Sequence, residues 1–143
     1  MKKDDQEILK EVQKNSRMAM KAIDTIMDKV TNDNLAYELA KENVIYSSLH
    51  NKAVDTLVRK KAQTYQSRNL DDMILESGIH MNTMWNASTS KIAELMIRSC
   101  NSGMTSMWKA MNHYKQATDV SMEVAKEFME LETKSIESLK KYL

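Results

Sequence analysis

The stretch "NASTS", Asn86 to Ser90, decides how this chain is connected. Asn, Ser and Thr compete with the backbone for hydrogen bonds, so they sit poorly inside a helix but serve well as caps before one. Directly after them comes "KIAELMI", an apolar-periodic run. A break at this point separates a short helix from a long one; without it, a single helix runs from Leu70 to near Ser99. The broken form gives a helical hairpin, a segment of about twenty residues holding a short helix, and a second hairpin. The unbroken form gives a plain up-down-up-down bundle. The clustering of capping residues favours the break.

Other boundaries obey the same logic. Upstream, "SRNLDD" (Ser67 to Asp72) places Asn69 as a cap before two acidic first-turn residues, and "TNDN" (Thr31 to Asn34) is a turn-like tetrad whose Asn and Asp can cap the second helix. The first helix is therefore expected from about Asp4 to Val30, with Ile8, Val12, Ser16, Ala19, Ile23, Ile26 and Val30 on one face. The second is expected from about Leu35 to Tyr65, antiparallel to the first because the connection is short. Downstream, a helix over Lys91 to Lys115 and another over Val120 to Leu143 are expected, the latter capped by Asp119. The predicted class is all-α, a single domain over residues 1–143.

Composition agrees. The chain has 143 residues, no Pro, two Gly and 13 Met, which is helix composition throughout. Two glycines do not build a phosphate-cradling loop, so Walker and dinucleotide-type sites are excluded. With 21 basic and 20 acidic residues and no long run of one sign, nothing advertises nucleic acid or a membrane surface. The one cysteine, Cys100, has no internal partner, and the basic opening lacks an apolar run behind it. A cytoplasmic protein is the expectation.

Chemistry is sought where polar residues fall on apolar faces. In "ENVIYSSLH" (Glu42 to His50), projection at 100° per residue puts Glu42 within the apolar stripe, Tyr46 near its centre and His50 at its edge. In the last helix Glu132 and Ser135 fall in the middle of the apolar side, and the other carboxylates of that helix fall opposite. A buried carboxylate must be paired, metal-bound or protonated, because burial of an unpaired charge costs several kcal/mol. Two readings stand: a structural polar network of Glu42, Tyr46, Glu132 and Ser135, or a variant iron or other transition-metal site using Glu42, His50 and Glu132. The network is the default, since buried polar groups are usually hydrogen-bonded to one another.

Spacing bears on the metal reading. Two-metal carboxylate bundles use Glu-x-x-His on two helices, and no Glu-x-x-His occurs in the chain. Glu42 and His50 lie two turns apart, about 12 Å along the axis, too far to share one ion. Met96, Cys100, Met104, Met107 and Met111 line one side of a helix, a copper(I)-compatible donor set, though Met at helical spacing is core first. No base accompanies Cys100, which reads as an inert thiol, and Gly103 reads as a place for close helix crossing.

The segments "SKIAELMIRSCNSGMTSM" (Ser90 to Met107) and "AKEFMELETKSIESLKKYL" (Ala125 to Leu143) resemble a group of small Firmicute proteins of ferritin-like, spore-coat-F-type shape. The resemblance covers the second half and extends to the first by pattern. It implies a ferritin-like four-helix bundle of two antiparallel hairpins with a short crossover helix, and no established activity. It also implies that "ETKS" stands where metal-binding ferritin-like proteins carry Glu-x-x-His, with Ser135 at the His position. On the second helix "YSSL" puts Tyr46 for Glu and Leu49 for His, so the di-iron ligands are lost on both. The expected function is a non-enzymatic helical module that associates with itself as a homodimer or with a protein partner. The alternative is a variant ferritin-like metal-binding protein using Glu42 and Glu132.

Overall fold

The computed structural model describes all 143 residues and is all-helical. Helix α1 spans Lys3–Ile26 and runs into a 3-10 turn, Met27–Lys29; α2 spans Asp33–Arg59, α3 Asn69–Thr83, α4 Thr89–His113, and α5 Asp119–Leu139, succeeded by a 3-10 turn, Lys140–Tyr142. The break at "NASTS" is present. Asn86 Oδ1 accepts from Ser88 N at 3.0 Å, and Ser88 Oγ accepts from Lys91 N at 3.1 Å, so the Asx turn and the N-cap are made by the residues that disfavour a continuous helix. Asn32 does the same for α2, accepting from Leu35 N at 3.0 Å.

Three boundaries differ from expectation. α2 stops at Arg59 rather than Tyr65, because Lys61 adopts the left-handed conformation (φ 56°) and the chain reverses. Ala62 N donates to Leu57 O (2.9 Å) and Lys61 N to Val58 O (3.0 Å), a Schellman closure with Lys where Gly is usual. Replacing Lys61 by Gly is expected to stabilise the protein by up to about 1 kcal/mol in urea denaturation, since it relieves a Cβ clash at the cost of some unfolded-state entropy. An unchanged or lower midpoint would contradict the cap. Second, Asn69 is the first residue of α3 rather than its cap.

Third, Asp119 opens α5 but does not cap it. The acceptor comes from the other end of the chain: Asp5 of α1 receives Thr118 N (2.7 Å), Thr118 Oγ1 (2.9 Å) and Ser121 Oγ, while Asp4 Oδ2 receives Gln116 N at 2.9 Å. Burial would raise the Asp5 pKa, but the hydrogen bonds from Ser121 and Thr118 outweigh it and hold the carboxyl below its ordinary value.

Cross-helix pairs fix the directions. Asp5 meets Thr118, so α1 and α5 start at the same end; Tyr46 meets Glu132 and Lys52 meets Glu127 (2.6 Å), so α2 opposes α5. Glu11 meets Ser106 at 2.5 Å near the start of α1 and the end of α4, which opposes those two. The chain leaving α2 must therefore travel the length of the molecule before α4 begins. It does so along α1: Gln13 clamps Tyr65 through both its backbone groups (2.8 and 3.2 Å), Arg17 grips Asp72 with two bonds of 2.7 and 2.8 Å, and Lys21 reaches Glu76 at 2.7 Å.

One cluster of 22 buried apolar residues unites all five helices, with only Ile79 coming from α3. Each fully buried large side chain contributes roughly 1.5–3 kcal/mol relative to exposure. Leu139 is fully buried at the end of α5, while Leu143, past the 3-10 turn, is exposed. Trp85 and Trp108 are both exposed as well. No helix is long and apolar enough to cross a membrane.

Candidate functional site

Half-way along the four long helices the core turns polar. Ser16 of α1, Glu42 and Tyr46 of α2, Cys100 of α4, and Glu132 and Ser135 of α5 are all buried there, with Glu42 4% and Glu132 2% exposed. The Tyr46 hydroxyl donates to Glu132 Oε1 and lies 3.7 Å from Cys100 Sγ. Tyr46 also leans on Phe128, ring centroids 6.4 Å apart, which fixes its direction. The cluster exists because small residues make room for it. Gly103 of α4 faces Glu132 so closely that an added Cβ would overlap Glu132 Oε2 and come within 3.3 Å of Phe128 Cζ.

Electrostatically the cluster is anionic in type and short of cations. Burial pushes Glu132 up to about 8, against the lowering effect of the Tyr46 hydroxyl, and nearby Glu42 adds to the rise. Burial likewise pushes Glu42 up to about 7. The Ser135 hydroxyl is near enough to oppose that rise, yet its geometry falls short of a hydrogen bond, leaving Ser135 Oγ and Glu42 Oε1 both without a partner. Ser16 Oγ is unpartnered too. Burial, then the neighbouring Glu132, raises the Cys100 thiol, and burial raises the Tyr46 phenol, so both stay protonated. At neutral pH the site holds carboxyl protons rather than a nucleophile. No histidine stands beside Cys100 to activate it.

Glu132, though buried, also borders a groove. It forms part of the floor of this space of about 390 Å³ between α1, α3 and α4, whose walls include Ala19, Ala22, Leu75, Ile79 and Leu95. Only Oε1 is engaged by a hydrogen bond; Oε2 lies over the bare backbone of Gly103.

The other sequence candidates lie elsewhere. His50 is half-buried at the edge of α2, its Nδ1 3.3 Å from Asn51 Oδ1, and takes no part in the cluster. No set of three or more His, Cys, Asp or Glu side chains is arranged to hold a metal ion, and the residues present do not make up the donor set of a two-metal centre. His80 and His113 are exposed. Met96 and Met107 are buried beside Cys100 on α4, while Met104 and Met111 are half-buried.

Sequence reading missed Asp5, Gln13 and the partner of Gly103. Asp5 carried a signal, since it continues the stripe of Ile8, Val12 and Ser16 by the same three-four steps. Gln13 carried none, because its partner Tyr65 is remote in sequence, and the close approach expected at Gly103 is made, but its partner, Glu132, was not legible. No family model matches this chain, and no curated protein or solved structure shows significant similarity to it.

Proposed function

We propose that this protein is a non-enzymatic, ferritin-like four-helix bundle, two antiparallel hairpins joined by a crossover helix, that associates with a second copy of itself through α3. The observation that carries this reading is the outward face of that helix together with the two residues that follow it. Leu70, Met73, Ile74, Met81, Met84 and Trp85 are between 57% and 91% exposed, while the inward edge of the same helix carries Asp72 and Glu76, ion-paired to α1. A crossover helix with no role but to span would show the reverse pattern. Contiguous apolar surface of this kind marks an interaction site.

A second copy fits this face better than a charged partner. Helical projection places Ser77 at the middle of the outward side with Leu70, Met73, Ile74, Met81 and Met84 around it, and no charged residue among them. A small residue bordered by large apolar ones, with His80 as the one ionisable side chain at their edge, is self-complementary about a two-fold axis, as an isologous contact requires. Size-exclusion chromatography with light scattering across a concentration series is expected to show a dimer, and Met81→Glu is expected to return it to a monomer with its helicity intact. A parent protein that stays monomeric at high concentration would refute the reading.

The second reading, a carboxylate metal site, starts from Glu42 and Glu132 as two buried carboxyls, the first raising the pKa of the second, with no cation beside them. Metal analysis of protein purified without an affinity tag tests it: stoichiometric iron, manganese, zinc or copper would favour it over the non-enzymatic module.

A further inference from the structure

We propose that the groove between α1, α3 and α4 binds a hydrophobic primary amine, its apolar body along the groove and its ammonium group against Glu132 Oε2. The groove is separate from the proposed dimer face, which points outward from α3; the two share only the edge residue Ile74.

Four observations meet at this point. The groove is large enough for a chain of several carbons, and half of its 16 lining residues are hydrophobic. Its floor holds a 2%-exposed carboxyl whose Oε1 takes the Tyr46 hydroxyl and whose Oε2 lies against the backbone of Gly103. No lysine, arginine or histidine joins Tyr46, Cys100, Glu42 and Ser135 around that carboxyl. The polar side chains that line it, Asn15, Asn82, Ser99 and Ser102, are neutral and compatible with any head group passing them. A groove with apolar walls and a carboxyl on its floor that no cation neutralises selects a ligand that brings both an apolar body and a positive charge.

Binding is a proton exchange. The neutral carboxyl of Glu132 gives its proton to water, and the carboxylate so formed receives an N–H of the incoming ammonium, so one proton is released for each amine bound. The charged or titratable groups facing Glu132 are Glu42 and Tyr46 from α2 and Cys100 from α4. α1 and α3 line the groove with neutral side chains only, and the one cation on its rim, Arg98, is paired to Glu94 at 3.2 Å. Glu42 opposes ionisation of Glu132 and favours a cation once it is bound.

The test uses n-octylamine with the full chain, and n-octanol and octanoate of equal chain length as controls, read by calorimetry and thermal shift at pH 6 and pH 8. Octylamine is expected to bind saturably, at least tenfold more tightly at pH 8 than at pH 6, with proton release visible as a buffer-dependent heat. Octanol and octanoate are expected to bind at least tenfold more weakly. Glu132→Gln, which keeps an acceptor for Tyr46, is expected to abolish the pH dependence and the preference for the amine. Ser102→Trp, on the exposed rim, is expected to weaken binding without touching the carboxyl. Equal binding of octanol and octylamine, or undiminished amine binding by a folded Glu132→Gln variant, would overturn the proposal. Met81→Glu is expected to leave amine binding unchanged, which separates failure here from failure of the dimer reading.

Discussion

Thermal and urea denaturation between pH 5 and pH 8 are expected to show a protein that loses stability as pH rises. Glu42 and Glu132 have folded values of about 7 and about 8, above the ordinary 4.5 of an unfolded glutamate. The folded state therefore keeps protons that the unfolded state releases, and the stability this provides is complete below about pH 4.5 and is lost as pH climbs through the folded values. Each group contributes a slope of up to about 1.4 kcal/mol per pH unit, so the pair changes stability by several kcal/mol across the range, on the order of the whole margin of a small domain. Asp5 acts in the opposite sense: its lowered value adds stability that disappears only as pH falls below the ordinary aspartate range. The maximum is therefore expected near pH 5. Glu132→Gln is expected to flatten much of the slope and to exceed the parent in stability at pH 8. A midpoint that stays constant from pH 5 to pH 8 would show that the two carboxyls are not held neutral by the fold.

Gly103→Ala is expected to destabilise the protein by about 1–3 kcal/mol, although alanine is the better helix former. The methyl group overlaps Glu132 Oε2 and crowds Phe128 Cζ, so the carboxyl must swing and give up the hydrogen bond from Tyr46. The sign should reverse in a second background. With Glu132→Ala in place only the 3.3 Å approach to Phe128 Cζ remains, and Gly103→Ala is then expected to gain up to about 1 kcal/mol of helix propensity. Urea denaturation of the four proteins in this cycle isolates the coupling. A Gly103→Ala change with the same sign in both backgrounds would mean that the glycine is there for some reason other than the carboxyl.

The placement of the core carboxyls was legible in sequence because helical projection needs only local information. Glu42 and Glu132 fall on apolar faces by projection and are buried in the fold, and Ser88 in "NASTS" acts as the cap that its type suggests. The end of α2 was not legible. No Gly or Pro marks it; a lysine in the left-handed conformation closes the helix, and Tyr65 beyond it is held to α1 by Gln13. The same limit applies to α5, whose cap is supplied by a residue 113 positions away. Periodicity places a side chain on a face of its own helix; it does not say which remote backbone or carboxyl that face will meet. The groove under α3 belongs to this second kind, being a space between three helices rather than a property of any one.

The Asp5 clamp bears on the order in which the molecule is assembled. The hairpin of α1 and α2 is built from neighbours in sequence and can close as soon as both are synthesised, whereas the clamp waits for Thr118 and Ser121. Until then the first turn of α1 presents two carboxylates with nothing to receive. Contacts of such long sequence separation are entropically late, so the clamp is a closing step. The direction of α5 is thus set at its first turn by a carboxylate of α1, a contact that spans most of the sequence between them.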